Sequence, residues 1–194
     1  GQVAFGEQHI SPGSSSETRA GGWSFLASSA AAMLGSDIST AFEQVNYKRS
    51  QSPVAAAALL NALDQLKEPG QWTPQDDLHI PVLTAFSATT PEQIATELDE
   101  KIELGFRTFK IKVGKDVSAD KERVRIIQDT LGERGTIRVD ANRAYSARDA
   151  IEFSQVLDPD ACELFEQPCG PYDWDGNGQV AQASPVPLML DEPI

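Results

Sequence analysis

Three acidic residues, Asp140, Glu166 and Asp191, each close a short apolar run, and they recur at intervals of 26 and 25 residues. Each interval has the length of one strand, one helix and their connections, so consecutive repeats would set the three acids side by side at one end of a sheet. The runs that read as strands are Ile80 to Phe86, Phe106 to Val113, Thr136 to Ala141, Leu164-Phe165 and Leu188-Met189-Leu190. Helical patterns separate the first four. One opens at a Thr90-Pro91-Glu92-Gln93 capping box, carries Ile94, Leu98 and Ile102 on one face and stops at Gly105. A second carries Val124, Ile127 and Leu131 and closes at Gly132, and a third opens at Ser146 and carries Ala150, Phe153 and Leu157. Strands that alternate with helices imply right-handed crossovers and a parallel sheet, either doubly wound or part of an eight-stranded barrel. The polar residues lie at the C-terminal strand ends, where barrel enzymes place their chemistry, which favours the barrel.

The first third has a different rhythm. Ser36-Asp37 is positioned to cap a helix with Ile38, Phe42 and Val45 on one face, and Ser52-Pro53 opens a second from Ala55 to Lys67 with Leu59, Leu63 and Leu66 aligned. Lys67-Glu68-Pro69-Gly70, then Thr73-Pro74 and two aspartates, ends the helical pattern and marks a domain boundary. The organisation expected is an α+β portion over residues 1–78 and a barrel portion over 79–194.

Composition narrows the function classes. With 40% hydrophobic residues the chain can bury a core. Its net charge of −13, from 16 basic and 29 acidic side chains, argues against nucleic acid or an anionic membrane surface as partner. The apolar stretch from Trp23 to Leu34 is interrupted by serines and is shorter than the roughly 20 residues of a membrane span. The N-terminus lacks the pattern of a secretory signal, so the cytoplasm is the expected compartment. Cys162 and Cys169 belong to no Cys-x-x-Cys pair and read as buried thiols.

The residues with chemistry cluster in the strand-helix region. Lys110 and Lys112 alternate with Phe109, Ile111 and Val113, so both lysines share the face opposite the apolar one. Two ammonium groups in one interior raise the cost of charging both, which would depress at least one pKa and prepare a general base. Asp140 and Asn142 share the polar face of the next strand, and Glu166 and Asp191 end the two that follow. Three converging carboxylates demand a cation, and hard oxygen ligands suit Mg²⁺, with Mn²⁺ as a substitute.

Lys110-Ile111-Lys112, Val139-Asp140-Ala141-Asn142, Phe165-Glu166-Gln167-Pro168 and Leu190-Asp191-Glu192 resemble, in order and spacing, the motifs of the mandelate racemase/muconate lactonizing enzymes of the enolase superfamily, in the branch with a Lys-x-Lys motif. The resemblance covers about residues 80–194 and implies an incomplete TIM-type (β/α) barrel, strands one to five, preceded by part of an α+β capping domain whose last strand would be Gly1 to Glu7. It also implies that Asp140, Glu166 and Asp191 bind Mg²⁺, that Lys112 exchanges the α-proton of a carboxylate substrate, and that Lys110 tunes Lys112 and stabilises charge on that carboxylate. Asn142 and Glu192 would stand outside the direct ligand set. Removing a proton beside a carboxylate creates an enediolate dianion, which requires a Lewis acid on its oxygens. Pro193 stands where many members of that family have serine, and the family's further lysine, across the substrate from the Lys-x-Lys pair, falls on a later strand than those reached by Ile194. The barrel alone takes about 250 residues, so the chain is expected to omit the start of the cap and the last three strands.

The activity expected is that of a racemase, epimerase or cycloisomerase, with dehydration of an acid sugar or hydroxy acid as the alternative within the same chemistry. A non-catalytic barrel fragment that binds metal or a partner is the alternative of another class. A small carboxylate substrate and a homo-oligomer of the full-length protein complete the expectation. Asp173-Trp174-Asp175-Gly176-Asn177-Gly178 matches the first half of a calcium loop, but Ser184 stands where the closing glutamate belongs, so the segment reads as a polar loop. His9 and His79 have no partners at ligand spacing, and no Gly-rich phosphate loop is found, so no nucleotide cofactor is indicated. Pro12 to Ser16, with Glu17 and Thr18, reads as a flexible loop, the kind of capping-domain loop that the family uses as a substrate lid.

Overall fold

The computed structural model describes residues 1–11, 15–72 and 79–192. They group into two units, Gly1–Leu78 and His79–Ile194. Thr73-Pro74, the two aspartates of the boundary and residues 12–14 of the expected loop lie outside the described residues, as do Pro193 and Ile194.

The first unit is helical. Helix α1 (Arg19–Met33) starts where the Thr18 hydroxyl accepts the Gly21 amide, and α2 (Ile38–Tyr47) where Asp37 accepts the Thr40 amide. In α3 (Pro53–Lys67) the Ser52 side chain does not cap the helix. The Glu17 carboxylate accepts the Val54 amide at 2.9 Å and the Ala55 amide at 3.3 Å, and takes the Ser52 hydroxyl as well. Ala41, Val45, Ala56 and Leu63 form the core, with Phe25, Ile38, Phe42 and Leu59 packed against it. Helix α1 has no counterpart in the sequence reading, because its glycines, alanines and serines carry no 3.6-residue apolar stripe. The strand expected over Gly1 to Glu7 is not formed. There the backbone of Phe5 pairs with an amide side chain instead: Gln65 Nε2 donates to the Phe5 carbonyl at 2.6 Å, and the Phe5 amide donates to Gln65 Oε1 at 3.2 Å.

The second unit alternates as expected: β1 (Thr84–Phe86), α4 (Pro91–Glu103), β2 (Thr108–Lys112), α5 (Val117–Leu131), β3 (Thr136–Asp140), α6 (Ala147–Ser154), β4 (Cys162–Glu166), α7 (Trp174–Ala183) and β5 (Leu188–Met189). All strand pairs are parallel, and the spatial order β1-β2-β3-β4-β5 follows the chain. A doubly wound sheet reverses its order at a switch point, whereas sequential order is that of a barrel wall. Phe109, Ile111, Ile137, Val139 and Phe165 are fully buried, as are Ile94 and Leu98 of α4, Val124 and Ile127 of α5 and Phe153 of α6. Phe153 lies 5.3 Å from Phe165 and 5.4 Å from Tyr145 between ring centroids, an aromatic knot between α6 and the sheet.

Two expectations change here. Strand β1 is shorter than Ile80 to Phe86: Pro81 has no amide to give a ladder, and Ile80 and Val82 are exposed. The segment after β4 is helix α7 rather than a polar loop. Asp173 Oδ1 accepts the Gly176 amide at 2.9 Å, and Asn177 turns inward to the carbonyls of Gly170 and Asp173. Among the described residues no helix is long and apolar enough to cross a membrane.

Candidate active site at the strand ends

Alternation along β2 puts Phe109 and Ile111 into the helix-facing core and leaves Lys110 and Lys112 on the opposite face. Register does the rest. Lys112 is the cross-strand partner of Asp140, and Asp140 that of Glu166. Lys110 Nζ lies 2.9 Å from Asp140 Oδ2 and 2.7 Å from Glu166 Oε2. Lys112 Nζ donates to Asp140 Oδ2 and, at 2.5 Å, to Asn142 Oδ1, while the Asn142 amide donates to Asp140 Oδ1 at 2.8 Å. Asp140 and Glu166 are 0% and 4% exposed; the side chain of Lys112 is 59% exposed and faces solvent. The structure thus brings together five of the seven residues singled out from the sequence: Lys110, Lys112, Asp140, Asn142 and Glu166.

Asp191 and Glu192 follow β5 at the same end. The Asp191 carboxylate is exposed and makes no hydrogen bond or ion pair among the described residues, and among those residues no group of three His, Cys, Asp or Glu side chains is placed to hold a metal. Glu192 Oε1 pairs with Arg143 Nε at 3.1 Å, and its Oε2 is buried without a hydrogen-bond partner among the described residues.

Burial pushes the Glu166 carboxyl up, and the neighbouring Asp140 charge adds to this against the opposing pull of Lys110. Burial also acts to raise Asp140, but hydrogen bonds from Lys112, Lys110 and the Asn142 amide hold it below the ordinary aspartate value. The sequence suggested that at least one lysine of the pair has a depressed pKa, and Lys110 does not. Burial does act that way, but the hydrogen bonds to Glu166 and Asp140 outweigh it and raise the ammonium above the ordinary lysine value. The expectation considered only the lysine pair, whereas the acids are in direct contact with Lys110.

Two acids in register on adjacent strands, bridged by one ammonium, fit a hard divalent cation: the oxygens are of the right type, and a positive charge already sits between them. Asp191, with its oxygens unengaged, and the unpartnered Glu192 Oε2 stand at the neighbouring strand end.

Arg123, Asp120, Tyr145, Arg143 and Gln167, which have no role in the sequence reading, support this end of the sheet. Arg123 donates to the carbonyls of Lys112 (3.0 Å), Ala88 (2.8 Å) and Phe86 (3.4 Å), tying the ends of β1 and β2. Buried Asp120 accepts the Gly114 amide at 2.8 Å and the Tyr145 hydroxyl at 2.8 Å, fixing the turn after Lys112. Arg143 adopts φ 70° and Gln167 φ 36°, with Asn142 at 43°, so three non-glycine residues hold left-handed backbone where β3 and β4 end. Gln167 and Asn142 fall within the motifs quoted above; the contacts of Arg123, Asp120 and Arg143 have no sequence signal beyond residue type.

Sequential parallel strands with acids and amines gathered at their C-terminal ends define one wall of a (β/α) barrel with a polar cluster where such barrels carry their sites. Residues 93–194 match the enolase C-terminal domain-like family, and the chain belongs to that family, within the enolase superfamily. The chain is similar to the hydrophobic dipeptide epimerase of Enterococcus faecalis, 38% identical over 102 residues that cover 53% of this chain and 29% of that protein. It is also similar to muconate cycloisomerase 1 of Pseudomonas putida, 34% identical over 113 residues covering 57% of this chain and 30% of that protein. The crystal structure of a dipeptide epimerase from Enterococcus faecalis V583, complexed with Mg and the dipeptide L-Leu-L-Tyr, superposes with a TM-score of 0.87 at 29% identity over 100% of this chain and 57% of that one. The chain therefore spans a little over half the length of that relative.

Proposed function

We propose that the protein is a Mg²⁺-dependent racemase or epimerase that removes and returns the α-proton of a carboxylate substrate, and that its substrate is a dipeptide or similar N-acylated amino acid. One observation carries the reading: the Lys112 side chain is more than half exposed at the end of β2, with its Nζ between Asp140 and Asn142. The likeness to a dipeptide epimerase holding Mg and a dipeptide supports both the metal and the substrate class. On this reading residues 79–194 are the first part of the barrel and residues 1–78 a portion of the capping domain.

Asp140, Glu166 and Asp191 would hold the metal, with Asp191 turning its exposed carboxylate inward. Bound Mg²⁺ supplies a Lewis acid that offsets the negative charge developing on the substrate carboxylate. Lys112 acts as the base in its neutral amine form: the Cα–H bond breaks, the Nζ lone pair forms a new Nζ–H bond to give the ammonium, and the electron pair left on Cα moves onto the substrate carboxylate as an enediolate. The reverse step returns the proton. Asn142 fixes the direction of Nζ, and Lys110 holds both acids while its charge stands beside the substrate carboxylate. Inversion also needs an acid on the opposite face of the substrate; Lys112 alone gives exchange with retention. Cycloisomerisation passes through a related enolate and is the second reading, supported by the 34% identity to muconate cycloisomerase 1 over 113 residues.

The test is proton NMR of L-Leu-L-Tyr with protein and Mg²⁺ in D₂O. Loss of the α-proton signal beside the carboxylate is expected, slowed at least about 100-fold by Lys112→Ala with Mg²⁺ affinity retained. Undiminished exchange in that variant would remove Lys112 as the base.

A further inference from the structure

Gln167 is fully buried at the end of β4, and its backbone is held at φ 36°. A glutamine gains nothing from that conformation by itself; such strain persists where surrounding contacts over-determine it. Its contacts do so. The Gln167 amide donates to the Met189 carbonyl at 2.8 Å, and the Gln167 carbonyl accepts the Arg143 amide at 2.8 Å, which joins β4 to β5 and to the turn after β3. The side chain then reaches past the end of β5. Its Oε1 accepts the Asp191 amide at 2.8 Å and the Glu192 amide at 3.3 Å, while its Nε2 donates to the Cys169 carbonyl at 3.0 Å.

The chemistry of the residue matches this double task. An acceptor must face two amides and a donor must face a carbonyl, and an amide side chain has both. A carboxylate would set like charge against the Cys169 carbonyl, and an apolar side chain would leave two part-buried N–H groups and a buried carbonyl without this partner. The strand ladder supplies no such clamp at this point, because β5 ends at Met189 and the pairing Glu166↔Met189 is the last of it. Beyond that pair, Gln167 is what ties the backbone of Asp191 to the strand that carries Glu166.

We infer that Gln167 is a positioning residue for the metal site: by clamping the amides of Asp191 and Glu192 it sets where the Asp191 carboxylate starts from, and hence its reach toward the ion shared with Asp140 and Glu166. This rests on the proposed role of Asp191 as a metal ligand.

The experiment is a double-mutant cycle on Mg²⁺ affinity, measured by titration calorimetry with Gln167→Met, Asp191→Asn and both together. Gln167→Met is expected to weaken Mg²⁺ binding about 10–100-fold, the usual effect of losing a group that orients a ligand. In the Asp191→Asn background the same change is expected to weaken it less than about 2-fold, since the clamp then has no ligand to place. A full additional loss in that background, or unchanged affinity in the single variant while Asp191→Asn binds weakly, overturns the inference. Unchanged affinity in Asp191→Asn itself would reject the metal reading, whatever Gln167 does. Should Gln167→Met fail to fold, amide hydrogen exchange of the wild-type protein decides. Mg²⁺ is expected to slow exchange at Asp191 and Glu192 more than at the amides of β3, and equal or no slowing there overturns the clamp.

Discussion

Asp140 and Glu166 are cross-strand partners, residue against residue, where β3 and β4 end. Two buried carboxylates so placed repel each other and lose hydration, and Lys110 offsets both costs by donating to each.

Removing that ammonium without adding a cation should therefore be costly. Lys110→Met is expected to destabilise the metal-free protein by about 3 kcal/mol, a fall in Tm on the order of 10 °C for a chain of this size. Mg²⁺ should restore more stability to this variant than to the wild type, because it supplies the missing charge. Thermal unfolding with and without Mg²⁺ measures both effects.

The turn after Lys112 depends on one carboxylate. Asp120 Oδ2 accepts the amides of Gly114, Lys115 and Asp116 as well as the Tyr145 hydroxyl. Burial and the Asp120 charge push the Tyr145 hydroxyl well above the usual phenol range, so it stays a donor at any pH the fold survives. Asp120→Ala leaves these donors without their acceptor and is expected to cost about 3 kcal/mol, whereas Tyr145→Phe removes one neutral donor and should cost about 1 kcal/mol. Denaturant titration of the two variants checks the order; equal losses would contradict it.

Cys162 and Cys169 are buried, and burial pushes their thiols up to about 12 and about 11 from the ordinary 9.0. The folded protein holds these protons to higher pH than the unfolded chain does. Their contribution to stability is present below pH 9 and is lost as pH rises through 11 and 12. Unfolding midpoints in denaturant should accordingly fall above pH 9, less steeply in Cys162→Ala. At pH 8 neither thiol should react with a disulfide reagent until the protein is unfolded.

Much of this arrangement is legible in the chain because it rests on period. The alternation of Lys110 and Lys112 with Phe109 and Ile111, and the spacing of Asp140, Glu166 and Asp191, fix which face and which strand end each side chain takes. The capping pairs Asp37 with Thr40 and Thr90 with Gln93 are local and equally readable. What escaped was decided at a distance or lacked a period. Helix α1 is built of small residues with no stripe; Glu17 caps a helix 36 residues further on; Gln65 takes the place of a strand beside Phe5. Gln167 was visible as part of a motif, but a motif does not say that its side chain crosses to the next strand to hold the backbone of Asp191.

Acids from three successive strand ends are proposed to share one divalent ion, and Asp191 is the member that makes no contact with the other two among the described residues. Calorimetric titration of Mg²⁺ into the wild type, Asp140→Asn and Asp191→Asn tests it most directly. Both variants are expected to lose affinity by at least about 100-fold, beyond what the loss of an outer group usually costs, with the fold intact by circular dichroism. Wild-type affinity in Asp191→Asn would contradict the three-acid site.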